Sequence, residues 1–577
     1  MKKRLLCLLF TLCLIAGTAA MSVPTVSAAV YGDYAYTLLD GKAILATYYG
    51  TETTINIPSA INGYTVSALG PNLYKDKTKI TTVTVPATVK IIGEYAFYGC
   101  TSLVSAALPA QMERIGGYAF YNCSKLAAID IPDGIFRIEA YTFYQCTNLT
   151  DLTVADAVQS VEPYAFYKCT SLKSFISGYT SAQTEEVSII GASAFAGCTA
   201  MTEAVIPQCV LYIDSNAFQN CSKLQSFVIP DSVLTLGSYA FDACTSATYI
   251  TIGASVATIS SYAFRGCSKL ENIIIPDNVT SIKEYSFQNC SGALAISIGD
   301  GVKTIDYYAF ENCSGAIDIS IGNGVTTIGS NAFQNCSGAN TVSIGSSVKT
   351  INEYAFSGCS KLTEIVIPDT VWYVYRYAFE NCYNLTKVTL SKNMFLIDYY
   401  LFKNCYSLAT VVIPDGIVSI GMSAFSGCLG LTRIIIPDSV KVLNEWYAYY
   451  FSSSYSSYRN TSTSSSSSYS YYNLVDNKYY RLEENTSFSY DSFAGCYGLV
   501  ICSYEANTYA ETYAASKRIK FRMVGDTNGD GMINALDVVR SKSVLLGLAE
   551  PDIASMDYNL DGRVDLLDSV CILKSLV

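Results

Sequence analysis

Residues Ser357–Cys382 read SGCSKLTEIVIPDTVWYVYRYAFENC. Successive side chains of a strand alternate between two faces, so Leu362, Ile365 and Ile367 share one side and Glu364 and Val366 take the other. Pro368 cannot donate to a strand ladder and ends the strand at the turn with Asp369. Val371 and Val374 then bring the chain back inward, and Ala378-Phe379 opens a short helical or irregular return that ends at Cys382.

The same unit recurs along the chain. Cys100, Cys123, Cys146 and Cys169 are evenly spaced, and after six extra residues the spacing resumes at Cys198 and runs through Cys428, with a last rung at Cys496. A phenylalanine stands three residues before each of these sixteen cysteines, from Phe97 to Phe493. A fixed period of this size predicts a solenoid in which each unit buries its apolar edge only against its neighbours. Parallel strands stacked in register about 4.8 Å apart would carry seventeen or so coils over roughly 80 Å. The fold class expected is therefore an α/β solenoid with a parallel β-sheet and a period of 23.

These residues resemble the leucine-rich repeats of the BspA type, found in many bacterial surface proteins. An IP turn, then IG, then AF, then C, then L recurs in phase from about Val83 to Leu499. Residues 29–80 keep strand signals without the Phe and Cys, and are read as a β-rich cap shielding the first coil. The solenoid is assigned to residues 81–505.

The first residues settle the expected compartment. Lys2, Lys3 and Arg4 precede an apolar run from Leu5 to about Ala16, and a small-residue site follows at Val26-Ser27-Ala28. This is the pattern of a secretory signal peptide over residues 1–28. No later run of eighteen apolar residues predicts a membrane span. The leader takes three of the 37 basic residues and none of the 48 acidic ones, leaving a net charge of about −14. Nucleic acid is excluded as an expected partner, because phosphate binding needs clustered Lys and Arg.

Histidine is absent from the chain. That removes Ser-His-Asp and Cys-His catalysis and imidazole-bound zinc. The 21 cysteines of an exported chain would suggest disulfides by count alone. Their spacing instead makes them small apolar side chains at one inward position, pointing in parallel and badly placed for bridging. Cys209 lies in a turn outside the ladder, and Cys502 replaces an aliphatic strand residue.

The middle outward residue of each strand defines one face: Ala107, Asp130, Thr153, Ile176, Val205, Val228, Thr251, Ile274, Ser297, Ser320, Ser343, Val366, Thr389, Val412 and Ile435. It is almost uncharged. Such a face suits contact with a protein or a polymer along its length and offers no paired carboxylates for acid and base roles. Two interruptions break the rhythm, a polar one around Thr180–Glu185 and a long one at about residues 446–490. The second contains SSSYSSYRNTSTSSSSSYSYY, a composition that cannot bury a core and predicts a flexible or irregular excursion. Glu483 and Glu484 beside it read as a solvated pair.

Beyond a linker at residues 506–524 the character changes. DTNGDGMINALD places Asp526, Asn528, Asp530, Met532, Asn534 and Asp537 at positions one, three, five, seven, nine and twelve of a loop, with Gly531 at six. DYNLDGRVDLLD repeats the arrangement with Asp557, Asn559, Asp561, Arg563, Asp565 and Asp568 around Gly562. Alternating hard oxygen donors, a glycine for the sharp turn and a carboxylate at twelve are what calcium requires, with the backbone carbonyls serving at Met532 and Arg563. Two calcium ions are expected. No amphipathic helix precedes the first loop; helices follow instead, in ALDVVRSKSVLLGL and LLDSVCILKSL.

Duplicated loop-then-helix units over residues 525–577 resemble the type I dockerin of cellulosome-like systems. The resemblance implies calcium-dependent attachment to the cohesin modules of a scaffoldin in a polysaccharide-degrading complex. It also implies recognition through Ala535, Leu536, Leu566 and Leu567, with Lys542 and Lys574 further along. These apolar pairs stand where some dockerin groups carry Ser-Thr. The sequence thus describes a secreted, non-catalytic binding or structural subunit with an unidentified protein or polysaccharide ligand. The alternative is a polysaccharide-active glycoside hydrolase carried by the dockerin; direct anchoring to the cell wall lacks a sorting signal or hydrophobic tail.

Overall fold

The structure is a computed structural model; it describes residues 28–178, 187–445, 471–473, 478–480, 491–497, 499–503, 509–517 and 519–523. Its core is a parallel solenoid of about 18 turns with a period of about 23 residues.

Each coil has three sides. In the coil that begins near Ser357, the strand Glu364–Val366 buries Ile365 and leaves Glu364 and Val366 exposed, while Leu362 and Ile367 are buried beside it. It pairs in parallel with Lys387–Thr389, Glu364 facing Lys387. At the turn, Val371 N–H donates to Pro368 O at 2.9 Å. Asp369 Oδ1 accepts Lys392 N–H from the next coil at 3.0 Å, so the turn carboxylate joins neighbouring turns. The second side is the short strand Tyr373–Val374, parallel to Thr350–Ile351.

The third side takes the irregular form of the return, and its backbone groups are shared between coils. Tyr95, Phe97 and Gly99 donate their N–H groups to Gly117, Ala119 and Tyr121 of the next coil at 3.1, 2.8 and 2.8 Å. The alternate residues Ala96, Tyr98 and Cys100 donate back to Gly93, Tyr95 and Phe97 within the coil. A tight turn of this kind requires two left-handed residues per coil, such as Tyr118 (φ 59) and Asn122 (φ 54). Asn and Gly adopt that conformation readily, which explains the Asn or Gly that so often precedes the cysteine. Where Asn recurs, its side chains form a ladder: Asn335 Nδ2 donates to Asn312 Oδ1 at 3.0 Å, and Asn312 Nδ2 to Asn289 Oδ1 at 2.9 Å. A left-handed tyrosine costs about 1 kcal/mol or more. Ring stacking offsets it, as in Tyr95–Tyr118 and Tyr118–Tyr141, both with centroids 4.6 Å apart.

Down the centre the phenylalanines form one continuous stack; Phe287 lies 5.1 Å from Phe264 and 5.3 Å from Phe310, with nearly parallel planes. The cysteines do more than fill space. Cys123 Sγ donates to Phe97 O at 3.2 Å, and each later ladder cysteine repeats the bond to the phenylalanine of the coil before. That carbonyl also accepts Cys100 N–H at 3.2 Å, so the thiol occupies its second lone pair. The sixteen ladder cysteines and Cys209 are free thiols.

Both ends of the stack are closed by tyrosines. Before Phe97 stands Tyr74, stacked on it at 5.1 Å, with Cys100 Sγ donating to Tyr74 O at 3.2 Å. Tyr48 packs 5.1 Å from Tyr74, and the hydroxyls of Tyr34 and Tyr74 hydrogen bond at 2.8 Å. The strands Ala29–Tyr31, Tyr34–Leu39 and Lys42–Tyr48 are antiparallel. Parallel pairing starts with Lys42–Tyr48 beside Tyr64–Leu69 and Thr54–Asn56 beside Thr82–Thr84, inside the segment 29–80 read as the cap.

At the other end Phe493 stacks on Phe425 at 5.6 Å and meets Tyr513 edge-on at 6.0 Å. Tyr513 lies on the helix Tyr509–Ser516, which buries Ala510 and Ala514. The strand Lys520–Met523 then pairs in parallel with Val500–Ser503. Most of the segment 506–524 read as a linker is thus built onto the last coil, because its small apolar residues cover a stack that would otherwise face water. No helix among the described residues is long and apolar enough to cross a membrane.

Candidate functional site

The long strands present one exposed face along the solenoid. Thirteen of the outward positions anticipated from the sequence are exposed and Thr251 is half-buried. Ile435 departs from the expectation: it is 1% exposed, and its strand Arg433–Ile435 is buried throughout. The face therefore stops short of the coil that carries the long interruption.

Ile176, Val205, Val228 and Ile274 lie exposed along this face, with Tyr249 beside them. In-register pairing sets Ile176 against Val205 and Val228 against Thr251. Its charges are matched from rung to rung: Lys173 lies 3.7 Å from Asp151 and Lys387 3.9 Å from Glu364, while Thr341 donates to Asp318. Such a surface can adsorb a partner along its length, and these carboxylates are spent on neighbouring rungs. The most buried acid among the described residues serves packing too. Asp242 accepts two bonds from Arg265, at 2.8 and 3.0 Å, and one from Gln219 at 2.9 Å, while Arg265 lies over Tyr239 and Tyr262.

Thiol chemistry is closed off by burial. Desolvation pushes Cys221, Cys267 and Cys359 up to about 12 and holds Cys123 and Cys169 well above the ordinary thiol range. The thiolate, which is the nucleophile and metal ligand, is thereby suppressed. Among the described residues no cluster of three or more acidic or cysteine side chains could hold a metal ion.

The calcium-loop residues from Asp526 to Asp568 and the recognition residues Ala535, Leu536, Lys542, Leu566, Leu567 and Lys574 lie outside the described residues. So do Thr180–Glu185, Glu483, Glu484 and most of the Ser/Tyr-rich interruption. The donor set of the two loops still fits calcium: carboxylate and amide oxygens alternate, and Met532, the one sulfur side chain among these positions, stands at position seven, where the backbone carbonyl is the ligand.

A parallel solenoid whose coils each supply a long strand, a short strand and a tight return is a leucine-rich repeat scaffold. The chain belongs to the BspA type leucine rich repeat family, whose model matches residues 67–186, 188–316, 292–409 and 372–500. A type I dockerin domain matches residues 524–576. Both are binding modules.

Among solved structures, a leucine-rich repeat protein from Bacteroides ovatus is 21% identical, covering 86% of this chain and 99% of its own, with a TM-score of 0.44. A leucine rich cell surface protein from Faecalibacterium prausnitzii is 24% identical over 73% of this chain and 95% of its own, with a TM-score of 0.36. The leucine rich repeat protein of T. pallidum is 27% identical over 33% of this chain and 88% of its own, with a TM-score of 0.30. No curated protein matches the chain.

Sequence reading overlooked one group of residues. Aligning the coils on their short strands places Trp372, Tyr373, Tyr375, Phe395 and Tyr399 at positions where most coils carry Thr, Ser, Gly, Lys or Glu. The signal lay in WYVYRYAF, and only the register of the coils makes it visible.

Proposed function

We propose that this chain is a secreted, non-catalytic subunit that docks through residues 525–577 onto the cohesin modules of a scaffoldin, in a complex acting on plant polysaccharide. The solenoid is its interaction surface. One observation carries the reading: a type I dockerin match over residues 524–576 joined to a leucine-rich repeat solenoid.

Calcium would be held by Asp526, Asn528, Asp530, Asn534 and Asp537 in the first loop and by Asp557, Asn559, Asp561, Asp565 and Asp568 in the second, with the carbonyls of Met532 and Arg563. The ions neutralise carboxylates that otherwise repel one another, so folding of the module and docking share one dependence on metal. Ala535, Leu536, Leu566 and Leu567 then form an apolar contact centre, rimmed by Lys542 and Lys574. The leader at residues 1–28 exports the chain.

Retention of the full chain on immobilised cohesin, abolished by chelation and restored by calcium, is the expected result. Binding that survives chelation overturns the calcium dependence. Release of reducing sugar by the purified chain overturns the non-catalytic reading in favour of a dockerin-borne hydrolase.

A further inference from the structure

We propose that Trp372, Tyr373, Tyr375, Phe395 and Tyr399, with the Arg376–Glu353 pair, form a binding site for an uncharged polysaccharide chain. The proposal rests on the reading of the solenoid as the ligand-binding part of a polysaccharide-directed subunit.

The five rings occupy two consecutive coils on the short-strand side, and Glu353 lies on the coil before them. Trp372 is 57% exposed, while its N–H donates to Lys349 O at 2.9 Å, so its backbone is held by the coil before. Tyr373 meets Phe395 edge-on, with centroids 5.3 Å apart, and lies 6.3 Å from Tyr375. Val418, on the following coil, extends the apolar surface.

Polar groups converge on the same place. Arg376 Nε pairs with Glu353 Oε1 at 2.8 Å, and its guanidinium lies 5.7 Å from the ring of Tyr399. Asp398 accepts the N–H groups of Arg376 and Tyr399 at 3.0 and 2.8 Å. The ladder of short strands is divided between Tyr373–Val374 and Leu396–Ile397, and there the Asp398 carboxylate bridges the two coils. Similar divisions occur elsewhere in this ladder, so the division marks the place and the side chains give it its character.

Rings beside a fixed carboxylate and guanidinium match the two surfaces of a hexopyranose: an apolar C–H face that packs on aromatic carbon, and hydroxyls that exchange hydrogen bonds with charged groups. One guanidinium, Arg376, lies between two carboxyl groups, Glu353 and Asp398, and the whole chain is acidic, which together disfavour an anionic polymer. Size argues against a protein. The four rungs from Glu353 to Val418 span about 15 Å along the axis, whereas the roughly 800 Å² per partner of a stable protein interface is a patch nearly 30 Å across.

The full chain would be titrated with soluble xylan, mixed-linkage β-glucan and glucomannan. Trp372→Thr and Tyr399→Ser introduce the residues that Thr326 and Ser330 supply at the same positions of another coil, so each is compatible with the fold. At least one glycan should bind, and either variant should weaken it tenfold or more. In a Trp446→Phe chain the remaining tryptophan, Trp372, should change its fluorescence as the glycan is added. Three results overturn the site: no glycan binds; both variants bind within twofold of the parent; or Tyr249→Ala on the long-strand face is the change that removes binding. Cohesin retention measured on the same samples keeps failure of this site apart from failure of docking.

Discussion

Cys496 donates its thiol to the carbonyl of Phe425 at 3.3 Å, the bond that Cys428 makes to Phe402 at 3.2 Å, although 71 positions separate the first pair and 26 the second. The coil after the long interruption is thus seated as if no residues intervened. Phe493 stacks on Phe425 with planes 4° apart, and Ile434 faces Ile501 in register.

Deleting residues 446–490 should therefore leave the last coil in place. The long connection costs more closure entropy than the short one it replaces, by on the order of 2 kcal/mol. The shortened chain should be equally or more stable, and the N–H groups of Phe425 and Gly427, which donate to Ser492 and Ala494, should keep their protection from hydrogen exchange. Loss of that protection would show that the interruption supports the coil.

The thiol ladder makes a second prediction. A thiol held up at about 12 has roughly one molecule in ten thousand ionised at pH 8, against about a quarter for an ordinary cysteine. Iodoacetamide should leave Cys221, Cys267 and Cys359 unmodified in the native chain and label them fully in denaturant, as read by peptide mapping. Cys290→Ala should cost about 1 kcal/mol through loss of the bond to Phe264 O, and Cys290→Ser, which keeps a donor, should cost less.

The sequence displays the period, the inward positions and the exposed strand face, because each depends on side-chain polarity repeated in phase. Tyr74 hid the first coil: a tyrosine replaces the phenylalanine and Lys77 replaces the cysteine, although Asn72 and Asp76 keep the left-handed positions. The thiol bonds were invisible because a small inward residue and a donor look alike in a pattern. Ile435 looks like Val412 in sequence, yet one is buried and the other exposed, a difference set by what surrounds each coil. Trp372 and its neighbours fit strand propensity, so only spatial register separates them from ordinary strand residues.

Asp398 should leave a signature in the pH dependence of stability. Burial holds its carboxyl up to about 6 from an ordinary value near 3.8, with Arg376 opposing the rise and Glu353 adding to it. The folded chain favours the protonated form, so the stabilisation is present below about pH 4 and is lost as pH rises to about 6. The span corresponds to on the order of 3 kcal/mol. Urea unfolding followed by Trp372 fluorescence in the Trp446→Phe background should show a midpoint that falls over this range. Asp398→Asn should flatten that part of the slope, leaving the contributions of Glu162 and Asp214, which are raised in the same direction.

The ends and the middle of the ring stack should respond differently to mutation. Phe287→Ala removes a ring held between Phe264 and Phe310 and leaves a cavity, at a cost of about 3–5 kcal/mol. In a solenoid stabilised by neighbour contacts that loss uncouples two arms, each still closed by its own tyrosine cap, so unfolding should split into two transitions. Tyr74→Phe instead keeps the ring on Phe97 and removes only the hydroxyl bonded to Tyr34, at about 1 kcal/mol. Unfolding should then remain a single transition, with the N-terminal strands losing exchange protection first. Calorimetry of the two variants distinguishes the outcomes: a single transition in Phe287→Ala would mean that coupling along the solenoid does not run through the phenylalanine stack.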